Sequence, residues 1–229
     1  MIYAANFKTN HTRAITKEYI AKLNTLVADS SEDIYIFPPA TALDSYESVA
    51  TIGAQNAHYT QNGAFTGEIG LEQLDEFGIK TILIGHSERR EHFSETQDIV
   101  AKKFDFFKQN GFEIIYCIGE SLDVREQGFD AVVSHLQSQF DGIDTSYDKL
   151  IVAYEPIWAI GTGRSATIKE IDSTHKALKS IVNKPLLYGG SVKPNNVKEI
   201  VSIDNVDGVL VGSASLDVDN FVSMILALD

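Results

Sequence analysis

Three side chains in this sequence could together move a proton on an anionic substrate: Glu155, His86 and Lys8. Each lies at or just beyond the end of a short apolar run, "LIVAYE", "TILIG" and "IYAAN" respectively. A glutamate whose pKa rises when water leaves its surroundings can act as a general base. A histidine can donate a hydrogen bond to a substrate oxygen, and a lysine can supply positive charge. Asn6, two residues before Lys8, is placed to hold the ammonium group by a hydrogen bond.

His86 directly precedes "SERRE", which is predicted to begin a helix. A helix N-terminus disfavours positive charge, so we expect the imidazole to stay neutral near pH 7. We expect Arg89 and Arg90 in this segment to support the scaffold. Each catalytic candidate also has a structural alternative: a solvated lysine, a buried structural histidine and a salt-bridged carboxylate.

The stretch that follows Glu155, "PIWAIGTGRSA", predicts a loop that can close over the site. Pro156 and Trp158 stiffen its beginning, whereas Gly161 and Gly163 leave its middle free to move. A closed loop would expel water from the base. The predicted lid consists of Pro156, Ile157, Trp158, Ala159, Ile160, Gly161, Thr162, Gly163, Arg164, Ser165 and Ala166.

Two further apolar runs end in small residues, "YGGS" and "VGSAS". Glycines at such positions allow backbone N–H groups to approach an anion closely, and phosphate is often bound there in barrels. The candidate contacts are Ser191, Gly212 and Ser213. Tight turns also favour glycine, which is the structural alternative. The two loops together with residues 161–163 favour phosphate binding.

Several known motifs are absent. Gly161-x-Gly163-x-x-Ala166 loosely matches a dinucleotide fingerprint, but the acidic residue expected about 20 positions later is missing, since 180–188 reads "SIVNKPLLY". The sequence has no phosphate-binding P-loop, no H-E-x-x-H and no nucleophile elbow. The histidines show no metal-ligand spacing. We therefore expect neither a dinucleotide site nor a metal site.

The candidate residues are separated by alternating strand and helix patterns. Eight apolar runs, typical of strands buried on both faces, begin near residues 2, 33, 52, 81, 113, 150, 185 and 207. Eight βα units predict a (β/α)8 barrel formed as one domain by residues 1–229, and an open doubly wound sheet is the alternative. In such a barrel the carboxyl ends of the strands carry the chemistry. That rule selects Asn6, Lys8, Gln55, Asn56, His86, Cys117, Glu155, Gly189, Gly190, Ser191, Gly212 and Ser213.

Two of the predicted helices have detailed signatures. "TRAITKEYIAKLNTLV" places Ile15, Tyr19, Leu23 and Leu26 on one face, which is expected to be buried. "SETQDIVAKKFDFFKQNG" begins with Ser94 and Gln97 in the spacing of a capping box, and ends at a glycine.

The charge and the cysteine content of the chain argue against several classes of function. The chain has 19 basic and 32 acidic residues, a formal charge of −13. With no Lys/Arg-rich run, this argues against nucleic acid and anionic membranes as partners. A single cysteine excludes an internal disulfide, and no signal peptide or membrane span is predicted. We expect a cytoplasmic protein whose anionic substrate is attracted by local positive groups.

The motifs of this chain, taken together, resemble those of a known enzyme family. In order along the chain, "NFKTN", "GAQN", "GAFTGEIG", "GHSERREHF", "CIGES", "AYEPIWAIGTGRSAT", "YGGSVKPNN" and "DGVLVGSASL" resemble the triosephosphate isomerase family. The resemblance implies cofactor-free interconversion of dihydroxyacetone phosphate and D-glyceraldehyde 3-phosphate. This family is the standard example of a glutamate base, a neutral histidine and a closing loop. The resemblance implies that Asn6 and Lys8 bind substrate, that His86 is the electrophile and that Glu155 is the base.

The resemblance also assigns the remaining roles. The phosphate would meet the backbone at Gly161, Ser191, Gly212 and Ser213. Glu88, near Lys8, and Cys117 would be supporting residues. Thr66 in "GAFTGE" would reach into a partner subunit, which implies a homodimer.

The sequence departs from the family pattern around the first lysine and in the last loop. The family usually has "NWKMN" around the first lysine, where this chain has Phe7 and Thr9. The last loop usually has two glycines, and here the second is Ser213. Two other classes of function stay open at this stage. One is a barrel that binds phosphate without catalysis, and the other is an aldolase or decarboxylase, for which Lys193 is the nearest candidate Schiff-base lysine.

Overall fold

A computed structural model describes residues 1–160 and 165–228 of the chain. The described residues contain eight strands: β1 (Ile2–Asn6), β2 (Asp33–Phe37), β3 (Thr51–Ile52), β4 (Thr81–Ile84), β5 (Glu113–Glu120), β6 (Leu150–Pro156), β7 (Leu186–Tyr188) and β8 (Gly208–Val211). They also contain nine α-helices: α1 (Arg13–Leu26), α2 (Leu71–Glu76), α3 (Ser87–His92), α4 (Gln97–Gln109), α5 (Leu122–Glu126), α6 (Phe129–Ser138), α7 (Ile168–Ile181), α8 (Val197–Val201) and α9 (Val218–Ile225). All eight predicted strands are present at the predicted positions.

The strands form a parallel sheet that closes on itself. Their order is β3-β2-β1-β8-β7-β6-β5-β4, and all pairings are parallel. A bridge between Ala54 and Ile82 joins the two ends, with Ala54 bonded to the backbone of Thr81 and Leu83 at 2.9 Å each. The (β/α)8 barrel is therefore confirmed, and the open doubly wound sheet is wrong because its two edges meet here.

The two faces of each strand explain the near-continuous apolar runs. Alternate side chains such as Ala4, Ile115 and Leu210 pack together in one buried cluster, which fills the barrel interior. Their neighbours, such as Tyr3 and Tyr116, belong to a second buried cluster shared with the surrounding helices. Since both faces are buried, the alternation of polar and apolar residues that marks an exposed sheet is absent.

The buried face of α1 differs from the prediction. Tyr19 and Leu23 are buried as expected, but Ile15 and Leu26 are 46% and 41% exposed. Thr16 and Ile20 take their place on the buried face. The sequence pattern predicts the buried side of the helix only approximately. The exact rotation of the helix about its axis is set by packing against the sheet.

The start of α4 also differs from the prediction. The residue that caps the helix is Thr96, whose hydroxyl accepts a hydrogen bond from the Ile99 N–H at 3.4 Å. Ser94 lies outside the helix with a φ of +55°. The Gln97 side chain is directed to buried groups instead of back to a cap. The predicted Ser94–Gln97 capping box is therefore wrong.

One buried histidine makes stability depend on pH. His175 on α7 is fully buried, and its Nδ1 bonds the carbonyl of Asn205 at 2.9 Å. Burial lowers the pKa of His175 to about 4. A histidine whose pKa is lower in the folded state than its value of about 6.5 in the unfolded state contributes to stability at pH values above 6.5. This contribution is lost as the pH falls towards 4.

We therefore expect acidification from pH 7 to 4 to remove about 3 kcal/mol of unfolding free energy through this histidine alone. Urea unfolding at several pH values in the wild type and in His175→Gln measures the effect, because glutamine does not titrate. The difference between the two pH profiles isolates His175 from other acid-sensitive groups. Parallel profiles would contradict the prediction.

Candidate active site

The carboxyl ends of the strands surround a cavity of about 340 Å³. Its walls combine catalytic candidates at the ends of β1, β4 and β6 with the glycine-rich loops that follow β7 and β8. The residues predicted for the site that line it are Asn6, Lys8, His86, Glu88, Glu155, Gly189, Gly190, Ser191, Gly212 and Ser213. The rule that chemistry gathers at strand ends thus brings these residues together.

Glu155 lies at the end of β6 and is almost fully buried. Its Oε1 lies 2.9 Å from His86 Nε2, and its Oε2 accepts a hydrogen bond from the Ser87 N–H at 3.0 Å. Two glycines leave room for it. A Cβ at Gly189 would lie 3.0 Å from Glu155 Cγ, and a Cβ at Gly119 would overlap the Glu155 carbonyl.

The surroundings of Glu155 favour its ionised form. Burial raises the pKa of Glu155, but His86, the Ser87 N–H and Lys8 lower it, and the net direction is downward. The carboxylate is therefore ionised at neutral pH, the protonation state that a general base needs.

His86 is the N-cap residue of α3, and its Nδ1 accepts a hydrogen bond from the Glu88 N–H at 3.3 Å. An accepting Nδ1 carries no proton, so the imidazole hydrogen lies on Nε2 and faces Glu155. Burial lowers the pKa of His86, but the Glu155 carboxylate raises it, and the net direction is upward. The helix N-terminus alone favours a lower pKa, and the Glu155 carboxylate 2.9 Å away, which the sequence does not reveal, reverses that direction.

Lys8 is fixed through its backbone. Its N–H donates to Asn6 Oδ1 at 3.0 Å, its carbonyl accepts from Gln55 Nε2 at 2.8 Å, and its φ is +52°. This left-handed conformation is uncommon for a residue with a Cβ and is maintained here by the two side-chain bonds. Asn6 thus holds the Lys8 backbone and not the ammonium group, which corrects the prediction. The ammonium pairs with Glu88 at 2.5 Å.

The opposite wall of the cavity is built by the loops after β7 and β8. Gly212 faces the lysine, since a Cβ there would lie 3.5 Å from Lys8 Cε. A 3₁₀ turn, Ser213–Ser215, begins directly after it. Ser191 lines the same side. Glycine- and serine-rich loops and a cation therefore share this part of the cavity, and such loops often bind phosphate in barrels.

The described parts of the predicted lid are its two ends. Ile157, Trp158 and Ala159 form a 3₁₀ turn, Ile160 lines the cavity, and Ser165 and Ala166 lead to the Thr167 cap of α7. Gly161, Thr162, Gly163 and Arg164 lie outside the described residues.

Glu120 is a partner of the lid that sequence reasoning missed. This residue ends β5 and is fully buried, and burial raises its pKa. Its Oε1 accepts hydrogen bonds from Trp158 Nε1 at 2.9 Å and from the Tyr154 hydroxyl at 3.0 Å. The signal was available, because a carboxylate at the end of an apolar run is the same pattern that identified Glu155.

Other predicted residues lie outside this cavity. Cys117 lies within β5 and is buried in the barrel interior, where burial raises the pKa of its thiol. Arg90 donates to the Gly85 carbonyl at 2.8 Å, and Arg89 pairs with Glu95, which agrees with scaffold roles for both arginines. Two predicted strand-end residues, Gln55 and Asn56, line a neighbouring cavity, and Thr66 is exposed on a loop.

Residues 1–160 and 165–228, which the structure describes, contain no group of three or more histidine, cysteine or acidic side chains arranged to hold a metal ion. Within them, no helix is both long enough and apolar enough to cross a membrane.

Comparison with known proteins accounts for this arrangement. A sequence model described as triosephosphate isomerase matches residues 1–228. The chain belongs to the triosephosphate isomerase family. A triosephosphate isomerase from a Sulfurovum species is 67% identical over 229 residues, covering 99% of this chain and all of the relative. Relatives of the same name from a Nitratiruptor species and from Wolinella succinogenes are 58% and 54% identical, and each alignment covers at least 97% of both chains.

Membership of this family, whose members are isomerases, confirms the resemblance seen in the motifs. It also removes the aldolase and decarboxylase alternatives. Lys193 lies on an exposed loop after β7 and contributes to the wall of the cavity.

Proposed function

We propose that this protein interconverts dihydroxyacetone phosphate and D-glyceraldehyde 3-phosphate through an enediolate, without a cofactor, in glycolysis and gluconeogenesis. One observation carries the proposal. An ionised, buried Glu155 lies 2.9 Å from His86, in a cavity that also holds Lys8 and the loops that carry Ser191 and Gly212. A base, a hydrogen-bond donor and a cation beside an anion site are the groups that this reaction requires.

The reaction begins when the substrate enters between His86 and Glu155 and replaces their direct contact. Glu155 then removes a proton from the carbon next to the carbonyl group and later returns it to the neighbouring carbon. The Nε2 hydrogen of His86 is donated to the substrate oxygen on which negative charge develops, and the neighbouring substrate hydroxyl returns a proton to Nε2, so that the carbonyl and hydroxyl groups exchange positions. Because the substrate separates the imidazole from the carboxylate, the interaction that raises the pKa of His86 weakens, which favours the neutral imidazole.

The other groups hold the substrate and protect the intermediate. Lys8 offsets the phosphate and enediolate charges, and Gly161, Ser191, Gly212 and Ser213 supply backbone N–H groups to the phosphate. Closure of the loop from Pro156 to Ala166 excludes water, which stabilises the enediolate against loss of phosphate. Glu88 holds the free Lys8 ammonium in place before substrate arrives.

We also propose that the chain acts as a cytoplasmic homodimer of single-domain subunits. Support for the dimer comes from an exposed loop that carries Thr66 and the 47% exposed Phe65. A second cavity of about 320 Å³ lies beside Lys8, and its wall includes Phe93, which is 64% exposed. A loop from a partner subunit would cover this cavity and the exposed Phe93. Light scattering of the purified protein tests the proposal, and a monomer at micromolar concentration would overturn it.

The activity is tested by a coupled assay of purified protein with D-glyceraldehyde 3-phosphate, with the Glu155→Gln variant measured alongside. We expect rapid formation of dihydroxyacetone phosphate by the wild type, and a loss of about 10³-fold or more in the variant, which lacks the base. A well-folded wild type without turnover would contradict the proposal and favour a barrel that binds phosphate without catalysis. Phe7, Thr9 and Ser213 would then be the first residues to restore to the common family pattern.

A further inference from the structure

A buried glutamine outside the cavity is bonded to the backbone beside the catalytic base. Gln139 directly follows α6 and is 8% exposed. Its Oε1 accepts a hydrogen bond from the Gly119 N–H at 3.0 Å, and its Nε2 donates to the Gly119 carbonyl at 2.7 Å. One side-chain amide thus satisfies both polar backbone groups of a single strand residue.

The position of this contact explains why a side chain is needed there. The pairing of β4 with β5 ends at Ile84 and Tyr116, whereas β5 continues to Glu120. The backbone of Gly119 therefore lies beyond the end of the neighbouring strand. A buried N–H or carbonyl without a partner is costly, and the Gln139 amide takes the place of the missing strand.

Gly119 is the residue against which Glu155 is aligned. The two residues are direct partners in the β5–β6 register. A Cβ at Gly119 would overlap the Glu155 carbonyl, so the two backbones lie in close contact. A displacement of Gly119 is therefore transmitted to the backbone that carries the base.

The backbone of Gln139 is also connected to the histidine side of the site. Its carbonyl accepts from Gln97 Nε2 at 2.8 Å. Gln97 Oε1 accepts from Arg90 Nη1 at 3.0 Å, and Arg90 Nε donates to the carbonyl of Gly85 at 2.8 Å. Gly85 directly precedes His86. A chain of hydrogen bonds thus connects Gln139 to the segments that carry both reacting groups.

We propose that Gln139 is a positioning residue for the isomerase reaction, and that it acts by fixing the end of β5 against Glu155. The inference rests on the proposed function. Gln139 does not line the cavity and has no contact with the substrate site. Its effect is on the geometry of proton transfer, and a misplacement of about 1 Å can lower a rate by about 100-fold.

The test replaces Gln139 with methionine, which keeps the length of the side chain but removes its two hydrogen bonds to Gly119 and its 2.8 Å contact with His135 Nε2. Gln137→Met is the matched control, since Gln137 is exposed and lies near the end of the same helix. We expect Gln139→Met to lower kcat by about tenfold or more while KM stays within about twofold, because geometry and not binding is changed. Hydrogen exchange of the Gly119 amide is expected to become faster by about tenfold or more, because its acceptor is lost. Neither quantity is expected to change in the control.

A second variant keeps the test decisive if the methionine protein does not fold. Gln139→Asn retains the amide but is one carbon too short to reach both groups of Gly119, and the same loss of kcat is expected. A folded variant with wild-type kcat, or an equal loss of kcat in Gln137→Met, would overturn the inference while leaving the proposed function intact. An inactive wild type would overturn both. Loss of activity only in proportion to loss of folded protein would also overturn the positioning role.

Discussion

Shortening the catalytic arm in Glu155→Asp is expected to lower kcat by about 100-fold or more, because a misplacement of about 1 Å is sufficient for such a loss. In the structure both carboxylate oxygens of Glu155 have fixed partners, His86 at 2.9 Å and the Ser87 N–H at 3.0 Å. Aspartate keeps the charge but withdraws it from the reacting carbon by about one bond length. The variant therefore tests the position of the carboxylate while a carboxylate is still present.

The measurement is the rate of D-glyceraldehyde 3-phosphate conversion at saturating substrate, together with KM and the thermal midpoint. We expect KM and the midpoint to change little, because the phosphate contacts and the core are untouched. Glu113→Asp is a matched control, since Glu113 begins β5 at the opposite end of the barrel. Near-wild-type kcat in Glu155→Asp would show that Glu155 is not the base.

Much of this site could be predicted because one rule about parallel strands selects it. Asn6 and Glu155 end buried apolar runs, and His86 follows another run two residues after it ends. Closure of the barrel brings these ends together, so residues about 70 to 80 positions apart in sequence meet around one cavity. The pattern is clear here because strands buried on both faces contain few polar residues, so that the polar residues at their ends are easily recognised.

The unpredicted features depend on where helices and loops meet the strands. The rotation of α1 about its axis, which exposes Ile15, follows from packing against the sheet. The apolar pattern of the helix itself specifies this rotation only approximately. Gln139 has no distinctive local sequence, and its role arises because β4 ends before β5 does. The direction of the His86 pKa was missed for the same reason, since the deciding carboxylate lies 69 positions away. Tertiary contacts of this kind have no periodicity that a single sequence could show.

Removal of the cation in Lys8→Ala is expected to weaken binding of a phosphate-bearing inhibitor by about 100-fold or more, since loss of one member of a charge pair that the bound inhibitor buries costs about 2–5 kcal/mol. Lys8 faces Gly212 across the cavity, so its charge lies beside the predicted phosphate site. The net charge of the chain is −13, which makes a local cation more important for an anionic substrate. Calorimetric titration measures the affinity, and Lys176→Ala, on the exposed face of α7, is the matched control.

Removal of Lys8 has a second consequence, because Lys8 also forms an ion pair with Glu88. In Lys8→Ala the Glu88 carboxylate loses its partner at 2.5 Å and remains on the wall of the cavity, where it repels a phosphate. We therefore expect the double variant Lys8→Ala, Glu88→Gln to bind the inhibitor about threefold more tightly than Lys8→Ala alone, a modest recovery because Glu88 is partly exposed and its charge is screened. Equal affinity in the single and double variants would show that Glu88 only holds the lysine. Unchanged affinity in Lys8→Ala itself would remove Lys8 from the binding site.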